Sequence, residues 1–155
     1  MNAAELTAAL ATVEQDHQLV LDQVQALKDA VTALLEPEVG DLPGVLDRLR
    51  QSNAFFATHL EAHLDEEEVT LFPLLEQLRP EGAELVARLR REHEMVRSKR
   101  EEFDSCLHVA LELEGAVTRT VIWDLLVYGW ELWEILDRHA HDETRGVHQC
   151  LPAQR

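Results

Sequence analysis

The chain has 155 residues, is dominated by Leu, Ala and Val, and contains only 6 Gly and 5 Pro, a composition typical of one helical domain covering residues 1–155. Its 30 acidic and 14 basic residues give a formal net charge of -16, which argues against nucleic acid and membrane surfaces as partners. Because the N-terminus lacks a secretory signal and the most apolar stretch (residues 121–136) is too short and too charged to span a bilayer, we predict a cytoplasmic protein.

Apolar residues recur at the helical period in four segments. The predicted helices cover about residues 3–35, 42–79, 83–113 and 116–146. Turn residues and helix breakers separate them: Pro37 and Gly40, the segment 80–82, and Gly115. Asp41 is the predicted N-cap of the second helix, Pro43 suits its first turn, and Pro73 is expected to kink it.

The lengths of these helices and of their connections predict the architecture. Each helix has about thirty residues and would be about 45 Å long at 1.5 Å per residue. Short connections force neighbouring helices to run in opposite directions. We therefore predict an all-α fold, an up-down-up-down antiparallel four-helix bundle.

Eight histidines are many for a chain of this length. At about 100° per residue, one histidine on each helix shares its face with core residues. Two glutamates, each one turn after a histidine, share these faces. The set consists of His17, His63, Glu67, His93, His139 and Glu143.

The same six residues lie at similar distances from the connecting turns, so antiparallel packing brings them to one level of the bundle. Buried imidazoles and carboxylates are costly without a cation. Imidazole combined with carboxylate suits iron, zinc, copper or manganese. The two HxxxE units can each lend a carboxylate that bridges two metals, and this leaves two histidine nitrogens for each metal.

Other interpretations of the six residues are weaker. Ferritin-like di-iron proteins use two ExxH pairs, and this chain has one candidate, Glu14 with His17. A purely structural bundle without metal is a further alternative. The two cysteines, Cys106 and Cys150, form no CxxC pair, which argues against a thiolate zinc site. They are predicted at opposite ends of the bundle, too far apart for a disulfide, and two free thiols fit a reducing compartment.

The segment from His63 to Pro73, His-Leu-Asp-Glu-Glu-Glu-Val-Thr-Leu-Phe-Pro, resembles the signature of the hemerythrin, or HHE cation-binding, family. Three further places resemble the other ligand positions of the family: Asp16-His17, Arg91-Glu92-His93, and His139 with Glu143. The resemblance covers essentially the whole chain. It implies two iron ions, joined by an oxo or hydroxo bridge and by Glu67 and Glu143.

The chain departs from the oxygen-carrying hemerythrins, which have five histidines and a second ligand one turn away on the third helix. At that spacing from His93 this chain has Leu89 and Arg97. The pattern H…HxxxE…H…HxxxE resembles a hemerythrin-like branch in which some members decompose peroxide. The resemblance therefore implies reaction with peroxide or dioxygen, as in a catalase-like oxidoreductase. The alternative is a protein that binds O2 or NO, or that holds or senses iron, without turnover.

Two further inward-facing side chains leave alternatives open. His59 lies one turn before His63 and is either a fifth histidine ligand or a hydrogen-bonded inner histidine. Arg97 is expected to pair with a ligand carboxylate or with Asp104, to line an access channel, or to extend along the helix with its charge in water. Three histidines are excluded because they face solvent or lie far from the ligand level: His108, His141 and His148.

The fourth helix has a second apolar face, turned away from the ligands. It is formed by Trp123, Leu126, Trp130 and Trp133. An apolar stripe that points away from the core is typical of a partner surface. We predict a homodimer through this face.

Overall fold

The computed structural model describes residues 3–36, 40–78 and 80–150, and these residues form four long helices and no strand. The helices are α1 (Ala3–Ala33), α2 (residues 42–78), α3 (Pro80–Glu112) and α4 (Arg119–Cys150). Successive helices pack side by side, and α4 packs against α1 to close the ring. The predicted all-α four-helix bundle is therefore confirmed. Within the described ranges, no helix combines the length and the apolar character needed to cross a membrane.

The connection between α1 and α2 begins earlier than predicted. Helix α1 ends at Ala33, because the N–H groups of Leu34 and Leu35 bond three residues back, in tight turns that leave the α-helix. The predicted break at Pro37 lies outside the described residues.

The predicted start of α2 is confirmed. The Asp41 carboxylate accepts a hydrogen bond of 3.0 Å from the Gly44 N–H, as an N-cap does. Pro43 lies in the first turn, where its missing N–H leaves no helical bond unmade.

Helix α2 changes its hydrogen bonding twice. Two π-helical turns, Phe56–Leu60 and Glu67–Leu71, flank the short α-helical segment Glu61–Glu66. The second π turn ends two residues before Pro73, whose ring lacks an N–H and crowds the carbonyl four residues earlier. Where the sequence predicts a kink at Pro73, the helix continues through the proline and the irregularity lies in the preceding π turn.

Helix α3 begins at Pro80, and the break predicted over residues 80–82 is wrong. Proline is well suited to the first turn of a helix, so here it starts α3 rather than interrupting the chain. Gly82 is buried in this first turn, and a Cβ atom there would collide with the carbonyl oxygen of Leu75. The absence of a side chain at Gly82 therefore allows the end of α2 to contact the start of α3.

The connection between α3 and α4 is longer than predicted. A 3₁₀ turn, Glu114–Ala116, follows α3, and Val117 is extended, so α4 begins at Arg119 rather than at residue 116. The left-handed residue of this turn is Glu114, with φ 47°, and not Gly115. At its other end α4 continues to Cys150, four residues beyond the predicted end.

Buried apolar residues form two clusters along the bundle. The large cluster includes Val20, Leu60, Val96 and Leu136, and the small cluster includes Leu71, Leu89 and Val147, with Val13 packed against it. On every helix, the predicted ligands lie in sequence between a residue of one cluster and a residue of the other. A polar layer therefore separates two apolar parts of the core.

The tryptophan face of α4 is only partly exposed. Trp123 is 63% exposed and Trp130 is 39% exposed. Trp133 is half-buried against the large cluster, and the Lys28 Nζ atom of α1 lies 4.6 Å from the centre of its ring. Leu126 also packs against the large cluster. The homodimer through this face stays a prediction.

Candidate metal centre

All four helices contribute to the polar layer, and all six predicted ligand side chains meet there. They are His17 on α1, His63 and Glu67 on α2, His93 on α3, and His139 and Glu143 on α4. Five of the six are buried, and His17 is nearly so. Helical facing and depth thus predicted the convergence of these six residues.

Glu67 lies at the centre of the layer and directs its two oxygens to different helices. Its Oε1 atom is 2.6 Å from His63 Nε2 and 3.2 Å from His17 Nε2. Its Oε2 atom is 3.3 Å from His93 Nε2. Glu143 lies opposite, with Oε2 3.0 Å from His17 Nε2 and 3.4 Å from His139 Nε2.

These contacts define two groups of potential ligand atoms. The His17 group contains His17, His63, Glu67 and Glu143, and the His93 group contains Glu67, His93 and His139. Within each group the ligand atoms lie within 4.8 Å of one another. Glu67 belongs to both groups, which is the position expected of a carboxylate that bridges two cations.

Several inward-directed atoms of the layer lack hydrogen bonds. Among the described residues, no hydrogen bond of suitable geometry is made by Glu67 Oε2, His93 Nε2, His139 Nε2 or Glu143 Oε1. An unsatisfied buried polar atom costs about 1 to 3 kcal/mol, so four of them in one layer need an explanation. Carboxylate oxygens and imidazole nitrogens are metal-ligand atoms, and cations between them would satisfy all four. The donor set therefore fits metal ions.

The carboxylates perturb the titration of the imidazoles. Burial lowers the pKa of His17, but its hydrogen bonds to Glu143 and Glu67 outweigh burial and raise that pKa to about 10. Burial raises the pKa of Glu67, but hydrogen bonds from His17 and His63 are among those that bring it well below its usual value. Without metal, a proton on His17 thus balances part of the charge of the carboxylates. Metal binding at His17 would release this proton.

Two further carboxylates hold the outer nitrogens of the ligand rings. His93 Nδ1 donates to Glu68 Oε1 at 2.8 Å, and His139 Nδ1 donates to Glu92 Oε2 at 2.8 Å. Burial lowers the pKa of His139, but the bond to Glu92 and the nearby Glu143 raise it overall. Such bonds leave each Nε2 free to face the layer and raise its basicity as a ligand. From the sequence, Glu68 beside the predicted ligand Glu67 is either a surface acid or a hydrogen-bond acceptor behind the ligands, and the structure shows the acceptor. The sequence indicates no such role for Glu92, although it stands next to His93.

His59 is not part of the layer. The inner position predicted for it is wrong, because its side chain is exposed and its ring stacks on Phe55 with centroids 5.0 Å apart. His59 belongs to the π turn Phe56–Leu60. A π turn contains more residues than an α-helical turn, so the facing deduced from a regular period does not carry over from His63 to His59.

Arg97 pairs with carboxylates that are not predicted ligands. Its guanidinium donates to Glu61 at 3.2 Å, to Asp65 at 2.9 Å and to Glu68 at 2.9 Å. The predicted pairing with Asp104 is wrong. The Asp104 carboxylate instead accepts a hydrogen bond from the side-chain amide of Asn53.

The excluded residues lie outside the layer. His108, His141 and His148 are exposed, in agreement with their exclusion. Glu14 is also exposed and belongs to neither ligand group, so the ferritin-like ExxH alternative has no support among the described residues.

A comparison with protein families gives one assignment. The family model of the hemerythrin HHE cation-binding domain matches residues 8–151. This range contains every residue of the polar layer. Comparisons with curated proteins and with solved structures gave no match.

Proposed function

Because the chain belongs to the hemerythrin HHE cation-binding family, we propose that it is a non-haem di-iron protein that reacts with peroxide or dioxygen. The observation that carries this proposal is Glu67, which is shared by the two groups of ligand atoms. A single metal would use one group. Two groups with a common carboxylate fit a pair of ions.

The donor set suits iron, and the family assignment favours iron among the metals that such a site could hold. Each group offers two imidazole nitrogens and at least one carboxylate oxygen, and no thiolate belongs to either group. Imidazole and carboxylate donors suit iron as well as zinc, copper and manganese, so the choice of iron rests on the family. Iron would act at this place as a Lewis acid and as a source of electrons.

The residues of the chain would hold and enclose the centre. Glu68 and Glu92 fix the rings of His93 and His139 with Nε2 directed inward. Two histidines in each group leave coordination positions for a small molecule. The large and small apolar clusters lie on either side of the layer and would limit the access of water.

The same burial also supports the alternative function, in which the centre binds O2 or NO, or holds or senses iron, without turnover. His93 and Glu143 are 0% exposed, and only a small molecule would fit beside side chains so enclosed. Kinetic measurements are therefore needed to distinguish reversible binding from turnover.

The decisive experiment measures iron content, the absorption spectrum before and after peroxide, and the rate of peroxide loss. We expect about two irons per chain and turnover above that of free iron. The His63→Ala variant should lose iron and turnover, whereas the matched His141→Ala variant, at an exposed histidine, should keep both. A stable and reversible oxy spectrum without turnover would favour the alternative. Wild-type protein that retains no iron would overturn both.

A further inference from the structure

The two histidines of the His93 group have carboxylate partners at equal distance. His93 donates to Glu68 and His139 donates to Glu92, each over 2.8 Å. The two carboxylates differ in exposure: the side chain of Glu92 is 10% exposed, and that of Glu68 is 27% exposed. The protein interior therefore confines Glu92, but Glu68 stands at the edge of the bundle and needs another constraint to stay against His93.

Arg97 supplies such a constraint. Its Nη1 atom donates to Glu68 Oε1, the same oxygen that accepts the bond from His93. The other nitrogens of the guanidinium are held by Glu61 at 3.2 Å and by Asp65 at 2.9 Å. A planar guanidinium fixed at three points orients a carboxylate more firmly than a single flexible cation does.

Among the described residues, one cation, Arg88, is paired with Glu92, and its position differs from that of Arg97 beside Glu68. Arg88 Nε lies 4.0 Å from Glu92 Oε1, beyond hydrogen-bond distance and on the oxygen that His139 does not use. The contact of His139 with Glu92 thus depends on burial, and the contact of His93 with Glu68 depends on an arginine.

We infer that Arg97 is a positioning residue of the metal centre, which holds Glu68 against His93 and so fixes the ring for metal binding in the His93 group. Arg97 touches no ligand atom of the layer in either group. Without its guanidinium, the neighbouring acidic side chains Glu61 and Asp65 would repel Glu68 and drive it towards solvent. The inference rests on the proposed metal centre.

Binding of Co²⁺ alone, followed by its visible absorption, tests this role. A cation that acts only through its charge repels metal ions, so its removal would strengthen Co²⁺ binding. A positioning role predicts the opposite sign. We expect Arg97→Gln to weaken one of the two Co²⁺ ions about 10- to 100-fold, with an altered absorption spectrum of that ion. Arg97→Lys should recover part of the loss.

Two further variants connect the effect to Glu68. Glu68→Gln should cause a similar loss, and the double variant should be no weaker than the single ones, because both changes break the same contact. Arg100→Gln is the matched control: Arg100 donates to Glu61 at 2.9 Å in the same charge network but does not contact Glu68. Its Co²⁺ binding should be no weaker than that of wild type, and circular dichroism should show that all metal-free variants are folded.

The outcomes separate this inference from the proposed function. If wild type binds two Co²⁺ ions and Arg97→Gln binds them equally or more tightly, the positioning role is wrong and the metal centre stands. Additive losses in the double variant would also overturn the positioning role. If wild type binds no Co²⁺ and no iron, the metal centre itself is wrong, and the role of Arg97 is refuted with it.

Discussion

The histidines of the two ligand groups differ in how their outer nitrogens are held. Hydrogen bonds of 2.8 Å fix His93 and His139, whereas the nearest Asp16 oxygen is 3.9 Å from His63 Nδ1. A ring whose outer nitrogen donates a short bond keeps its tautomer and its orientation before any metal arrives. The His93 group is therefore the more preorganised of the two.

Glu92 offers a direct test of this preorganisation. Glu92→Gln keeps the size of the side chain but replaces the carboxylate that accepts the His139 N–H bond with a neutral amide. We expect metal affinity to fall about 10- to 100-fold. Calorimetric titration with Zn²⁺ would measure the change. Glu94→Gln, an exposed position on the same helix, should bind like wild type. Equal affinity for the Glu92 variant would show that this bond is dispensable for binding.

Cys106 should be a slow nucleophile at neutral pH. Both described cysteines are free thiols, as predicted. Burial and the nearby Asp124 raise the pKa of the Cys106 thiol to about 11. Because the thiolate is the reactive form, alkylation by iodoacetamide should accelerate about tenfold per pH unit between pH 8 and 10. Mass spectrometry on the Cys150→Ser variant would follow this site alone. A rate that levels off near the pKa of a free cysteine, about 8.5, would contradict the prediction.

At the scale of the elements, α1, α3 and α4 could be predicted more completely than α2. In a regular helix the facing of a residue depends only on its position, so apolar periodicity correctly places His17, His93 and His139 on inner faces. The π turns of α2 cannot be recognised from the spacing of apolar residues. They explain why the predicted inward facing of His59 is wrong.

The outer shell of carboxylates could not be deduced in the same way. The contacts of Glu68 and Glu92 with histidines 25 and 47 positions away depend on rotamers and on the separation of helices. Periodicity specifies neither. The three contacts of Arg97 were missed for the same reason, because the pattern indicates only that an inward arginine needs a partner.

The contact between α2 and α3 should not tolerate a methyl group at Gly82. Alanine is intrinsically better than glycine within a helix by about 1 kcal/mol, so propensity alone would predict that Gly82→Ala is stabilising. A Cβ atom at this position would lie 2.8 Å from the Leu75 carbonyl carbon, and backbone cannot rotate away as a side chain can. We expect a net loss of about 1 to 3 kcal/mol in the free energy of unfolding.

Urea unfolding of metal-free protein would measure this change. Gly115→Ala serves as the control, since a Cβ atom there meets nothing within 4 Å. Its stability should change little. A Gly82→Ala variant more stable than wild type would show that α2 and α3 can separate without loss.

At the scale of the whole molecule, charge opposes self-association while the tryptophan face favours it. Each chain carries a formal net charge of -16, and two such chains repel each other at low ionic strength. Trp123 and Trp130 nevertheless leave large apolar surfaces exposed on one side of α4. A dimer through this face should therefore strengthen with salt, which screens repulsion and leaves apolar contact intact.

Sedimentation velocity at low and high salt would test the predicted homodimer. We expect wild type to dimerise more strongly at high salt and the double variant Trp123→Ser, Trp130→Ser to remain monomeric. Val109→Ser removes an exposed apolar side chain from α3, 48% exposed, and should leave the dimer unchanged. A wild-type monomer that persists at high concentration and high salt would show that the face has no such role.

The tryptophans also give the protein an optical property. All 3 are on α4, so ultraviolet fluorescence reports on one helix and its surroundings. These include the contact between α1 and α4 in which Lys28 lies over the Trp133 ring. Circular dichroism, in contrast, reports on all four helices. If the chain is the single domain predicted, both signals change at the same temperature on heating. An earlier shift of the emission would mean that α1 and α4 part before the rest of the bundle melts.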